Sequence, residues 1–243
     1  MTTIPPSRHL IVTIDGPAGT GKSSVARAAA SRLHLEFLDT GSMYRAATAL
    51  ALDRGIPVRD EHAVAASAAD AHLRFDWTTD PPTMLAHGRS IAHRLRAPDV
   101  DASVSVVASL PAVREVLVGL QQAIGRSHAR LITEGRDQGS VVFPEADAKI
   151  YLHASPAARA RRRADQLRAQ GRHADEAEIA RELAERDDRD SRRAVGPLRR
   201  PEGAVDLDTS DLTFEESVDA VIEIARRAAE QALPFASAAG NTG

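Results

Sequence analysis

Cysteine is absent from all 243 residues. Disulfides and thiolate metal sites are therefore excluded, although a cysteine-free chain fits either redox compartment. Aromatic residues make up only 3% of the chain, with a single tryptophan, so no stacking platform for single-stranded nucleic acid is expected. Positive charge is not in excess either. The formal net charge is −3, which argues against general affinity for DNA or an anionic membrane surface. No apolar run approaches the roughly 18–20 residues of a membrane span. The opening MTTIPPSRHL lacks the apolar run and cleavage site of a secretory signal. The expectation is a cytoplasmic protein, working as a monomer, with no nucleic-acid or membrane partner. Lysine is the last scarcity: of 31 basic residues only Lys22 and Lys149 are lysines. Where arginine is the default cation, one arginine says little and a well-placed lysine says more.

What remains is an ordinary globular composition, 43% hydrophobic and 27% charged, in a chain long enough for one α/β domain with an inserted lobe. Short apolar runs at 9–15, 35–41, 129–133, 148–154 and 204–210 read as five buried strands, with helical periodicity between them. Ser155 followed by Pro156 marks a helix start, and Gly55 followed by Pro57 marks a helix stop. Residues 73–97 break the pattern: Leu73, Phe75 and Trp77 alternate, and a turn is expected at His87-Gly88. This reads as a small antiparallel unit inserted into a three-layer α/β fold with a parallel sheet. The organisation expected is one domain over 1–232 and a disordered tail over 233–243.

The segment GPAGTGKS at 16–23 fits the G-x-x-x-x-G-K-[ST] phosphate-binding loop. It sits where the motif requires, after a strand and before a helix. Its glycines let backbone N–H groups turn inward around phosphates, the helix N-terminus favours anions, and Lys22 reaches the β and γ oxygens. Ser23 offers a hydroxyl to Mg²⁺. An acidic residue at a neighbouring strand end should assist the metal; Asp15, Asp39 and Glu134 all qualify.

Three further clusters could hold a second, phosphorylated substrate. LDTGSMYR (38–45) places Thr40 at a helix N-terminus and Arg45 beyond it, although a capping Thr40 beside a surface Arg45 is the simpler alternative. TEGRDQGSVVFP (133–144) places Arg136 and Asp137 directly after a strand, where ligands bind in open parallel sheets. ERDDRDSRRAVGPLRR (185–200) belongs to a stretch, 155–201, with thirteen arginines against nine acids. That stretch suits either a solvated helix laced with ion pairs or an arginine clamp over transferring phosphates.

With IDGPAGTGKS, LDTGSMYR, VREVL, EGRDQGSVVFP and ERDDRDSRRAVGPL in this order, the chain resembles the bacterial cytidylate kinases, P-loop nucleoside monophosphate kinases, over about residues 10–225. The resemblance implies a P-loop kinase fold with a five-stranded parallel sheet of order 2-3-1-4-5, an inserted monophosphate-binding lobe before the third strand, and a short arginine-rich lid within about 155–200. It implies that Gly16, Pro17, Ala18, Gly19, Thr20, Gly21, Lys22, Ser23 and Ser24 hold ATP, with Ser23 on Mg²⁺ and Arg162 and Arg163 as helpers from the lid. It assigns Thr40, Arg45 and Arg136 to the phosphate of CMP, and Ser105, Arg114 and Asp137 to the cytosine. It assigns Asp190 to the ribose, and Arg186 and Arg193 to phosphates during transfer. Lys22, Arg136, Arg186 and Arg193 are thus the candidate catalytic set. Thr40 stands where the family pattern has serine. Arg114 lies in no compact motif and, taken alone, reads more readily as a salt-bridged helix residue than as a ligand contact. The reaction implied is γ-phosphoryl transfer from ATP to CMP or dCMP, with UMP the hardest acceptor to separate. A nucleotide switch is disfavoured, since no N-K-x-D guanine reader is present.

Overall fold

The computed structural model describes residues 9–231; the tail expected at 233–243 lies outside the described residues. The chain runs β1 (Leu10–Asp15), α1 (Lys22–Leu33), β2 (Glu36–Asp39), α2 (Thr40–Asp53), α3 (Glu61–Asp70), β3 (Arg74–Asp76), β4 (Thr83–Ala86) and β5 (Arg89–Ser90). It continues through α4 (Pro98–Val107), α5 (Pro111–Ser127), β6 (Arg130–Gly135), a π-helical turn (Gln138–Val142), β7 (Ala148–His153), α6 (Pro156–Ala169), α7 (Glu176–Ser191), β8 (Val205–Asp208) and α8 (Phe214–Gln231).

All six side chains of β1 are buried, because the strand lies at the centre of a parallel sheet covered on both faces. Such strands read as continuous apolar runs without alternation. The sheet order is β2-β6-β1-β7-β8. Counted among these five strands alone, that is 2-3-1-4-5. Side chains of neighbouring residues point to opposite faces, and the packing follows. Phe37 and Ile132 join the core beneath α1 and α8, with Val25, Ala29, Val218 and Val221. Leu38 and Leu131 join the core beneath α2, α3 and α5, with Met43, Val64 and Leu117. These are the three layers.

A second sheet, β3-β4-β5, is antiparallel. Its tight turn falls at His87 (φ 50°) and Gly88 (φ 76°). Two successive positive φ values give the turn whose twist matches a hairpin. The α6–α7 pair has its own small apolar cluster of Ala160, Ala164, Leu167 and Ile179. No single helix among the described residues is long and apolar enough to cross a membrane.

Parallel register fixes where the functional loops emerge. Asp15 pairs with Gly135 across β1 and β6, and Asp39 pairs with Glu134 across β2 and β6. The three strand-end acids, the loop 16–21 and the Arg136–Asp137 loop therefore share one edge of the sheet.

Candidate active site

The loop between β1 and α1 is shaped by positive φ at Gly16 (150°), Gly19 (78°) and Gly21 (88°), conformations that a Cβ disfavours. At Gly16 the restriction is also steric, because a Cβ there would collide with the Leu152 carbonyl on β7. Lys22 opens α1 and is buried. Its Nζ donates to the Pro17 carbonyl at 2.6 Å, so the ammonium curls over the loop. Burial above all, and then the nearby Arg136, push its pKa down to about 7, against the pull of Glu134, Asp187 and Asp15. A triphosphate in the loop would restore its charge.

The structure separates the three strand-end acids. Asp15 accepts from the amides of Gln138 and Gly139, both at 2.7 Å. Burial nonetheless raises its pKa to about 7. Asp39 caps α2, accepting from the Ser42 amide at 3.0 Å and the Ser42 hydroxyl at 2.7 Å. Only Glu134 stands beside the metal-binding candidate: the Ser23 hydroxyl donates to its Oε1 at 2.8 Å. Burial, then Asp39, raise the pKa of Glu134. Among the described residues no cluster of three or more metal-ligating side chains occurs. One hydroxyl and one carboxylate beside a phosphate loop suit Mg²⁺, which keeps waters and phosphate oxygens and needs few protein ligands.

Thr40 and Arg45 are placed differently from their simplest sequence reading. Asp39, not Thr40, is the N-cap of α2; Thr40 is buried and its hydroxyl donates to the Glu134 carbonyl at 2.7 Å. Arg45 is not a surface residue. It is buried, ion-paired with Asp101, and donates to the Leu95 carbonyl at 3.0 Å. Arg114 is salt-bridged, as its bland reading had it, but to Asp137 itself and in the deep interior, with 1% of it exposed. Its guanidinium lies 5.6 Å from the centre of the Tyr44 ring. Gly196 packs so closely over this pair that a Cβ would collide with both side chains. Ser105 has a buried hydroxyl with no hydrogen-bond partner among the described residues, and it lines a cleft of about 530 Å³ together with Asp188, Arg189, Arg192 and Arg193.

Asp190 is almost fully buried and bridges two of the candidate arginines, accepting from Arg136 Nε at 2.8 Å and also from Arg193. Burial alone would raise its pKa, yet the two arginines outweigh it and hold the carboxyl below its ordinary range. Arg186 is different. Among the described residues its buried Nε has no hydrogen-bond partner, and no ion pair includes it. Burial first, then Arg136, lower its pKa to about 10.

Three further candidates, Arg162, Arg163 and Ser24, lie on α6 and α1. Arg162 is braced inward, donating to the Thr20 carbonyl at 3.2 Å and to Thr209 Oγ1 at 3.1 Å. It therefore ties the phosphate loop to the segment after β8. Arg163 makes a local bond with Gln166, and Ser24 is exposed in the first turn of α1. Conversely, sequence reading passed over Arg159, Asp187, Asp101 and Asp15 in its structural role. None carries a local signal in so arginine- and acid-rich a chain.

The sequence profile of the cytidylate kinase family matches residues 12–227. The chain belongs to the cytidylate kinase family. It is 45% identical over 213 residues to a cytidylate kinase of Rhodococcus jostii (strain RHA1), covering 86% of this chain and 91% of that one. Identity to a cytidylate kinase of Corynebacterium efficiens is 42%, over 93% of this chain and 98% of the relative. A bifunctional pantoate ligase/cytidylate kinase of Synechococcus sp. (strain JA-2-3B'a(2-13)) is 44% identical; there the match spans 96% of this chain but only 43% of the relative. Among solved structures, a gluconokinase from Sinorhizobium meliloti 1021 superposes with a TM-score of 0.51 at 15% identity, covering 92% of this chain and 96% of that one. That likeness concerns the fold alone.

Proposed function

We propose that this protein transfers the γ-phosphoryl group of ATP to CMP or dCMP, giving ADP and CDP or dCDP. The observation that carries this reading is the Arg114–Asp137 pair, buried one strand away from the phosphate loop and beside Arg136. Cytosine offers an amino donor and ring acceptors along one edge. Asp137 can accept from that amino group while Arg114 donates to the acceptors. Uracil would set a carbonyl against the carboxylate, and a mismatched polar edge is strongly rejected.

In the step itself an oxygen of the CMP phosphate attacks the γ-phosphorus, and the bond from that phosphorus to the β–γ bridging oxygen breaks. The attacking oxygen is already ionised, so no general base is needed, and no histidine belongs to the site. The transition state is loose, with charge on the equatorial oxygens, and the protein contributes positioning and electrostatics. Lys22 lies on the donor side, Arg45, Arg136 and Arg193 on the acceptor side, and Arg186 between them. Ser23 and Glu134 would hold Mg²⁺, which would supply positive charge against the charge that develops on the phosphates. The carboxylates now paired with Arg45, Arg136 and Arg193 exchange places with substrate groups: phosphate replaces Asp101 on Arg45, and Asp190 turns to the ribose hydroxyls. The hairpin unit at 73–97 serves as the monophosphate lobe and the segment 155–200 as the lid, excluding water from the transfer. The protein works on free nucleotides as a cytoplasmic monomer.

The test is a coupled assay of ADP formation with ATP and Mg²⁺ against CMP, dCMP, UMP, AMP, GMP and no acceptor. Rapid turnover with CMP and dCMP, and little with the rest, is expected. Turnover with UMP alone would discard the roles of Arg114 and Asp137, and ADP release without acceptor would discard the kinase reading.

A further inference from the structure

One cluster lies outside the roles assigned so far. The backbone amide of Ala18, in the phosphate loop, donates to Asp187 Oδ1 on α7 at 2.8 Å. The other oxygen of Asp187 is ion-paired with Arg159 of α6. Arg159 closes the ring by donating to the Ala18 carbonyl at 3.0 Å. Both side chains are withdrawn from solvent, at 10% and 17% exposure. One turn before Asp187, Leu183 lies against the same loop, and its Cδ1 would stand 3.1 Å from a Cβ at Gly19. Helix α7 is thereby seated on the phosphate loop by one polar ring and one apolar contact.

We propose that Asp187 and Arg159 form a catch that fixes α7 on Ala18 and so sets Arg186, the adjoining residue, over the phosphate loop. The inference rests on the kinase reading above. The two residues are positioning residues: neither needs to touch a phosphate. Three features support this. Arg186 has no ion-pair partner among the described residues, so its place is set by the helix that carries it. A bare carboxylate on a phosphate loop would repel a triphosphate, and Arg159 neutralises it, so the catch can hold while nucleotide is bound. Finally, the ring uses both backbone polar groups of Ala18, its N–H and its carbonyl, so a shift of α7 breaks more than one bond at once.

The experiment compares Asp187→Ala, Arg159→Met and the double variant with the parent, each with and without Arg186→Ala. A catalytic arginine misplaced by about 1 Å can lose on the order of 10²-fold in rate. Asp187→Ala should therefore lower kcat by about that factor, with KM for CMP unchanged and a larger share of ATP lost to water. The double variant should be no worse than Asp187→Ala, since the pair acts as a unit. Arg186→Ala should cost the parent about 10²–10³-fold and the Asp187→Ala protein little more. Equal Arg186 effects in both backgrounds would overturn the proposal, as would an unchanged kcat with tighter ATP binding, which would make Asp187 a mere occupant of the loop. Asp187→Asn keeps an acceptor for the Ala18 amide and should fold if Asp187→Ala does not; it is expected to fall between the two. Hydrogen exchange of α7 supplies a readout independent of the acceptor. ATP should slow exchange there in the parent and not in Asp187→Ala. A parent with no CMP turnover would sink the kinase reading, while the exchange result would still decide the catch.

Discussion

At the residue scale, Lys22 and Asp15 show how one shared edge gives opposite demands to opposite charges. Both are buried at the end of β1 or just beyond, and burial penalises each charged form. In the proposed function Lys22 answers to the donor substrate. Lys22→Ala should reduce transfer by about 10²-fold or more while CMP affinity, measured by calorimetry, stays near the parent's; an equal loss of CMP affinity would merge the donor and acceptor sides. Asp15 answers to the protein. Its carboxylate holds the two amides that shape the loop carrying Arg136 and Asp137, and its folded-state pKa is raised to about 7. The folded protein therefore holds a proton that the unfolded chain releases near pH 4. The stability this contributes is full at acid pH and is lost as pH rises from about 4 to about 7. Asp15→Asn removes that dependence and weakens one amide bond, a cost of about 1–3 kcal/mol. Urea denaturation should show the variant furthest below the parent near pH 4, with the gap narrowing toward pH 7.

At the scale of elements, the segment after α7 closes over the Arg114–Asp137 pair, which the proposed function places in the acceptor site. Gly196 adopts φ 60° and lies against Arg114 and Asp137, so neither its backbone nor its surroundings accept a side chain. Gly196→Ala should raise KM for CMP about tenfold or more, with KM for ATP little changed, because the phosphate loop lies on the neighbouring strand. Much at this scale was readable in advance. The β-branched run before GPAGTGKS reads as a strand because a doubly covered strand must be apolar throughout. The turn at His87-Gly88 is marked by its glycine, and Arg136–Asp137 by its place after a buried run. What was not readable was pairing. Arg114 on α5 looks like any helical arginine until α5 is laid beside β6, and Asp39 takes the cap that Thr40 also suits. Local sequence carries the tendency of a segment, whereas a partner from far along the chain is chosen only when the layers pack.

For the molecule as a whole, stability is unevenly distributed. The two cores flanking the parallel sheet take side chains of β2 and β6 on both faces, and the core beneath α1 and α8 also buries β1 and β7. The α6–α7 pair rests on four buried side chains of its own and on the contacts of α7 with the phosphate loop. Opening is easiest where few apolar contacts are lost. Hydrogen exchange should therefore be fastest, among the helices, in α6 and α7, and should slow there when ATP and CMP are bound together. Uniform protection across all helices would contradict a lid built from this pair.

The sequence by itself determined the phosphate loop, the three-layer parallel architecture and the strand-end placement of Arg136 and Asp137. These depend on periodicity, glycine and a single well-placed lysine, all of which act over a few residues. The tertiary structure alone decided that Glu134 attends Ser23, that Asp15 braces the acceptor loop, that Arg114 meets Asp137, and that Asp187 and Arg159 clasp Ala18. In a chain with 29 arginines, charge marks no residue by itself. Which carboxylate meets which guanidinium is settled only when distant segments are buried together and every charge taken from water must find a counterpart.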